Sequence, residues 1–247
     1  MTKASDTLAD LVSQDAARGV VLDRLGLDYC CSGEQGLEQA CANAGLDVAD
    51  VVAQLDSAPR AGEVHDCAAM DVSDLVDHLL DVHHVYLHAE LPDLDRLAQK
   101  VLDVHGGRHS ELHDVRTLVT AIADDLEPHM MKEERVLFPV ILGLAKGPID
   151  LPFGTIDDPI RMMCAEHERV GELLARLRDA TRDYRVPDDA CASYRALYER
   201  LAHLEHDTHM HVFEENHLLF PRAATLEGVH DTGGPGMSER SPERGPT

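Results

Sequence analysis

The sequence predicts an all-α protein in which an up-down four-helix bundle follows a small helical module. Apolar residues recur at alternating intervals of three and four along several long segments, the spacing that gives a helix one buried stripe. Signals for β-strands and β-hairpin turns are nearly absent. The segment HMMKEERVLFP at 129–139 also returns as HVFEENHLLFP at 211–221, which indicates two equivalent helices facing a common ligand.

Four sections follow one another along the chain. We predict a small helical domain, a linker without periodicity, the bundle, and a disordered Gly- and Pro-rich tail, at residues 1–57, 58–70, 71–226 and 227–247. In the first section, Asp6 is the expected N-cap of one helix that continues through Leu25, and Asp47 is the expected N-cap of another.

The bundle helices carry apolar stripes that lead directly into polar side chains. The stripe of the second helix covers residues 112–126 and that of the last helix covers residues 194–208. Pro92 and Pro128 fall inside presumed helices, where we expect local bends rather than helix ends. The polar residues that continue the stripes are His129, Glu133, His167, His211 and Glu215.

A histidine and a glutamate four residues apart project from nearly the same helix face. Burial of an unpaired carboxylate is very unfavourable, and a metal ion would compensate it directly. A single pair of this kind is usually a surface pair or a satisfied core histidine. Two copies on buried stripes, with His167 on a third stripe between them, favour a metal site. The repeated Leu-Phe-Pro ending has a simpler alternative, core packing followed by a helix-terminating proline.

Turn geometry selects the fourth histidine. In an up-down bundle, residues at one level are equidistant from the turn that joins their helices. Reflection of His129 across the turn at Gly106 and Gly107 gives His84. His105 also lies on the stripe, but it is about 30 Å from His84 along a continuous helix, so we place it outside the cluster.

The predicted ligands are His84, His129, Glu133, His167, His211 and Glu215. Six groups exceed what one tetrahedral zinc accepts, and mixed imidazole and carboxylate ligands in a bundle suit two iron or manganese ions bridged by the carboxylates. An oxo or hydroxo bridge would fill further positions and leave others for water, dioxygen or nitric oxide. Glu166 and Asp125 either support these ligands or are simply exposed. Five further histidines are expected either to be solvated or to support the ligands: His78, His83, His88, His206 and His209.

Composition limits the classes of partner. Asp plus Glu outnumber Lys plus Arg by 46 to 22, a net charge of −24, which argues against nucleic acids and anionic membranes. The longest apolar run is too short to span a bilayer, and the N-terminus lacks the apolar core of a signal peptide. The 6 cysteines show neither zinc-type pairs nor the density of a disulfide scaffold, so we expect a cytoplasmic protein.

These motifs resemble a known family. The order of histidines and glutamates is similar to that of hemerythrin-like HHE domains, and four segments resemble the RIC (repair of iron centres) proteins: HHVYLHAELPDL, EPHMMKEERVLFP, AEHERVGELL and HVFEENHLLFPRA. The segment LGLDYCCSGEQGLEQAC resembles the cysteine-containing N-terminal domain of that family, although Ser32 stands where a glycine is common. The resemblance implies a non-haem di-iron protein of the cytoplasm, with the six ligands given above and with homodimerisation left open.

The resemblance also favours a role for Cys30 and Cys31 in taking up iron, reacting with nitric oxide or accepting electrons. Adjacent cysteines make a poor ordinary disulfide, and the alternative is a small buried pair in a helix–turn. The remaining cysteines are expected to be core or incidental residues, at Cys41, Cys67, Cys164 and Cys191.

Three functions are compatible with these features. The leading hypothesis is repair of iron–sulfur clusters damaged by nitrosative or oxidative stress, through iron donation, redox chemistry or both, with damaged iron–sulfur proteins as partners. One alternative is an enzyme that reduces nitric oxide or peroxide at the di-iron site. The other is a hemerythrin-like sensor or store of dioxygen or nitric oxide. The cysteine module favours repair, because a carrier would not need it.

Overall fold

The computed structural model describes residues 2–58 and 67–231, without the side chains of 229–231. Within these ranges the regular structure is helical, and the all-α prediction is confirmed. The helices are α1 Leu8–Gln14, α2 Ala17–Leu25, α3 Leu37–Ala44, α4 Val48–Ser57, α5 Val72–His78, α6 Val85–His105, α7 Glu111–Lys132, α8 Phe138–Lys146, α9 Asp157–Thr181, α10 Ala192–Phe213 and α11 Phe220–Asp231. Three π-helical turns join α5 to α6, α7 to α8 and α10 to α11, at Leu79–His84, Glu133–Leu137 and Glu214–Leu219.

The start of the chain differs from the predicted single helix. Thr7, rather than Asp6, caps α1, because its hydroxyl accepts a hydrogen bond from the backbone N–H of Asp10 at 3.0 Å. The helix then stops at Asp15, which has an extended backbone, and the carboxylate of Asp15 accepts a hydrogen bond from the N–H of Ala17 at the start of α2. The predicted continuous helix was wrong because an aspartate can end one helix and cap the next.

Helices α5 to α11 form the bundle. The described residues contain two clusters of buried apolar side chains, and one of these clusters lies between α6, α7, α9 and α10. Pro92 and Pro128 lie inside α6 and α7, which continue past them as predicted. Pro139 and Pro221 do not end helices; they lie in the first turns of α8 and α11, directly after π-helical turns. A proline ring would meet the carbonyl four residues earlier in an α-helix, and the wider π turn relieves that conflict.

The N-terminal module, α1 to α4, packs against the bundle through a buried carboxylate. Asp23 on α2 accepts hydrogen bonds from His206 Nδ1 at 2.6 Å and from His209 Nδ1 at 2.7 Å, both on α10. Burial would raise the pKa of Asp23, but these two histidines hold it below its usual value. Beside this contact, the ring of Tyr29 packs edge-on against Phe213 at 5.9 Å between centroids.

We therefore expect Asp23→Asn to lower the free energy of unfolding by about 3–5 kcal/mol, the usual loss when one partner of a buried ion pair is removed. The measurement is chemical denaturation followed by circular dichroism. Asp124→Asn, on the exposed face of α7, is the matched control and should change little. Equal effects of the two substitutions would contradict the assigned contact.

The predicted section boundaries fall partly outside the described residues. Residues 59–66 of the predicted linker and 232–247 of the predicted tail are not described. Helix α11 continues to Asp231, beyond the boundary expected at 226. None of the helices described in residues 2–58 and 67–231 is long and apolar enough to cross a membrane.

Candidate metal centre

The six side chains predicted as ligands lie together at one level of the bundle. The four histidines are 1–2% exposed, and both glutamates are 0% exposed. Two of the π-helical turns carry the glutamates and the third carries His84. The other three histidines lie on α7, α9 and α10. The repeated segments are thus two helices that each bring one histidine and one glutamate to the same pocket.

One half of the pocket is formed by His84 and His211. Their Nε2 atoms are 3.2 Å apart. Glu133 Oε2 lies 3.5 Å from His84 Nε2, and Glu215 Oε1 lies 3.1 Å from His211 Nε2. One ligand atom from each of these four residues lies within 4.8 Å of all the others.

The other half repeats this arrangement with His129 and His167. Their Nε2 atoms are 3.1 Å apart. Glu133 Oε1 lies 3.2 Å from His129 Nε2, and Glu215 Oε2 lies 3.0 Å from His167 Nε2. Each glutamate therefore directs one oxygen to each half, so that the two halves share both carboxylates.

The residues fit bound cations. Both carboxylate oxygens of Glu133 and Oε2 of Glu215 are buried without a hydrogen-bond partner, a cost that a cation would remove. Burial would raise the pKa of Glu215, but His211 and His167 hold it well below its usual range. The donor set of imidazoles and carboxylates suits a first-row transition metal.

Three of the four imidazoles are held by a second contact. The Nδ1–H group of His84 donates a hydrogen bond to Glu134, at 3.0 Å. In the same way His129 donates to Glu166 and His167 donates to Asn216, each also at 3.0 Å. These contacts leave the Nε2 lone pairs directed into the pocket, the tautomer that a metal ion requires.

Sequence reasoning identified only some of these supporting residues. Glu166 is 9% exposed and contacts His129 and Lys132, so the alternative that it is simply exposed was wrong. Asp125 is half-buried beside Arg169. Glu134 and Asn216 were missed, although each directly follows the repeated glutamate.

The remaining histidines occupy different places. His83 is buried, its Nδ1 contacts Asp207 at 3.0 Å, and its ring stacks on His211 at 5.4 Å between centroids. It therefore supports the pocket and is not solvated. His105 lies near the opposite end of α6, where its Nε2 is 3.1 Å from Cys191 Sγ, and among the described residues it belongs to neither half of the pocket.

Cys30 and Cys31 lie in the N-terminal module, with their sulfur atoms 3.8 Å apart. Asp28 Oδ1 accepts hydrogen bonds from both backbone N–H groups and from Cys30 Sγ, at 2.9–3.3 Å. Contact with Cys31 and burial raise the pKa of the Cys30 thiol well above its usual value. A cleft of about 450 Å³ between the module and the bundle is lined by both cysteines.

One residue connects this thiol pair to the pocket. Asn216 accepts a hydrogen bond from His167 with Oδ1 and donates one with Nδ2 to the carbonyl of Cys30, at 3.1 Å. His217 Nε2 donates to the same carbonyl at 3.0 Å. The backbone beside the thiols is thus held by His217 and by Asn216, the residue that positions the pocket histidine His167.

We expect Asn216→Leu to weaken cation binding by about 10–100-fold, the usual effect of removing a residue that orients a metal-binding histidine. Competition titration with a chromogenic chelator measures this affinity. Asn43→Leu, on the exposed surface of α3, serves as the control. Unchanged affinity in the Asn216 variant would contradict the orienting role.

Comparison with known proteins agrees with this arrangement. Residues 75–233 match the family model described as the hemerythrin HHE cation binding domain. The chain belongs to the hemerythrin HHE family. Residues 4–59 match a second family model, described as a domain of unknown function, DUF542. This HHE protein thus combines its cation-binding domain with a separate N-terminal family that contains the adjacent cysteines.

The HHE protein is also similar to curated relatives over nearly its whole length. It is 30% identical to the iron-sulfur cluster repair protein YtfE of Salmonella typhimurium over 228 residues, which cover 92% of this chain and 100% of the relative. The proteins of the same name from Salmonella newport and Salmonella agona match with the same identity and coverage. Membership of the RIC family, indicated by the sequence motifs, is confirmed.

Proposed function

We propose that this chain is a non-haem di-iron protein that repairs iron–sulfur clusters damaged by nitrosative or oxidative stress, by donating iron, reducing capacity or both. The observation that carries the proposal is the contact through Asn216 between a pocket histidine and the Cys30 backbone. The name of the curated relatives supports the same function. Damaged iron–sulfur proteins in the cytoplasm are the proposed partners.

The six pocket residues would hold two iron ions, with each carboxylate shared between them. Bound iron would supply a one-electron change between its ferrous and ferric states. The protein's contribution is to exclude water from the pocket and to orient the imidazoles, through Glu134, Glu166 and Asn216. A set of six ligands for two ions leaves each ion with few protein ligands, which favours its release to a client.

The adjacent cysteines would receive iron or electrons at the surface cleft. Cys31 is partly exposed whereas Cys30 is buried, so Cys31 is the thiol that a client reaches first. The carboxylate of Asp28 lies close enough to both thiols for the three groups to share a cation. Nitric-oxide reduction or dioxygen storage would use the same pocket but would leave these thiols without a role.

Incubation of the iron-loaded protein with a [4Fe–4S] dehydratase, inactivated beforehand by nitric oxide, tests the proposal. The protein should restore dehydratase activity faster than the same concentration of free ferrous salt, whereas the iron-free protein should not. Recovery no faster than with the free salt would contradict repair. A dehydratase that was never damaged controls for nonspecific activation.

A further inference from the structure

A third group of metal-binding side chains lies beside the pocket. It consists of Cys67 in the turn before α5, His78 at the end of α5, and Glu214 at the start of the last π-helical turn. One ligand atom from each, the thiol sulfur, an imidazole nitrogen and a carboxylate oxygen, lies within 4.8 Å of the other two. Three different elements thus bring three different donor types to one point.

A buried carboxylate oxygen in this group lacks a hydrogen bond. Glu214 is 4% exposed, and its Oε2 has no hydrogen-bond partner, as is also true of the neighbouring His83 Nε2. His78 Nε2 lies 3.3 Å from Oε2 and His83 Nε2 lies 3.5 Å from it, but neither contact is aligned as a hydrogen bond.

The backbone around the group is held in place. Arg222 on α11 donates hydrogen bonds to the carbonyls of Ala68 at 2.8 Å and Met70 at 2.7 Å, in the turn that carries Cys67. His83, beside the group, is oriented by its Nδ1 contact with Asp207. Donors held in this way lose little conformational freedom when a cation binds.

We propose that Cys67, His78 and Glu214 form a third cation site, for a divalent transition metal such as Fe²⁺, Co²⁺ or Zn²⁺. A thiolate with an imidazole selects these ions over Mg²⁺ and Ca²⁺, which prefer oxygen ligands. These three described residues would supply three of the four ligands of a tetrahedral ion. Binding would displace the thiol proton of Cys67 to solvent.

The position of this site suggests its use. Glu214 directly precedes Glu215 in the chain. His83, whose Nε2 lies 3.5 Å from Glu214 Oε2, stacks on the pocket residue His211, so the third site borders the pocket. Cys67 is partly exposed, whereas the six pocket residues are almost completely buried. We infer that the third site is a station for iron between the pocket and solvent, a role that rests on the iron donation proposed above.

Titration with Co²⁺ tests the site itself. In a Cys30→Ser/Cys31→Ser background, which removes the other thiol cluster, Co²⁺ beyond the amount that fills the pocket should produce a thiolate-to-cobalt charge-transfer band. The band should disappear in variants that also carry Cys67→Ser or His78→Ala. It should persist with Cys191→Ser, which removes an exposed cysteine elsewhere. Absence of the band, or its persistence without Cys67, would overturn the third site.

Iron release tests the station role. Transfer of Fe²⁺ from the loaded protein to an excess of chelator should be several-fold slower in Cys67→Ser and His78→Ala than in Cys191→Ser. Equal rates, with the cobalt band present, would overturn the station while the site stands. Normal release without restoration of damaged clusters would instead contradict the proposed repair function.

Discussion

Replacement of both Glu133 and Glu215 by leucine is expected to abolish cation binding in the pocket while the bundle remains folded. Each half of the pocket would lose two carboxylate oxygens, and the four imidazoles alone leave the charge of two divalent ions unbalanced. Leucine fills a similar volume in an environment where both glutamates are completely buried. Elemental analysis of the purified variant measures the loss.

The same variant should lose the stabilisation that cations provide. A ligand that binds only the folded state at 1,000 times its dissociation constant raises the free energy of unfolding by about 4 kcal/mol. The wild type should show an increase of this size when the metal is added, and the increase in the variant should be much smaller. The control is Glu127→Leu/Glu199→Leu, because both residues are exposed on α7 and α10. An exchange-coupled pair of iron ions in the Glu133/Glu215 variant would contradict the assigned ligands.

Replacement of Cys30 and Cys31 by serine is expected to separate metal binding from repair. The thiols contribute no atom to the pocket, and their link to it is the backbone carbonyl of Cys30, which serine keeps. The variant should therefore retain the metal content of the wild type and lose restoration of nitric-oxide-damaged clusters. Elemental analysis and the dehydratase assay measure the two properties on the same preparation.

Cys191→Ser is the matched control for this experiment, since Cys191 is exposed and contacts His105 away from the pocket. It should repair clusters at the rate of the wild type. Full repair by the Cys30/Cys31 variant would show that the thiols have no part in the reaction. Loss of metal in that variant would instead show that the N-terminal module is needed to keep the pocket intact.

Convergence of the six side chains could be predicted because it depends on helical register. An apolar stripe fixes which face of a helix is buried, and a turn fixes which levels of two helices meet. These two rules placed His84 opposite His129 although many residues separate them. The repeated segments likewise indicate both glutamates.

Other features depend on information that register does not contain. The π-helical turns at Glu133 and Glu214 change the local hydrogen bonding of a helix without disturbing its apolar pattern, so the periodicity gave no sign of them. The contact of Asn216 with His167 depends on side-chain direction across two helices. Cys67 was expected to be a core or incidental residue, and its proximity to His78 and Glu214 depends on the tertiary fold.

Mössbauer spectroscopy with elemental analysis, on protein purified without added metal, measures how many iron ions each chain holds and whether they are coupled. We expect two iron ions per chain that form an exchange-coupled pair, with this pair lost in the Glu133→Leu/Glu215→Leu variant. A single isolated iron, zinc alone, or two uncoupled irons would contradict a shared pair of carboxylates.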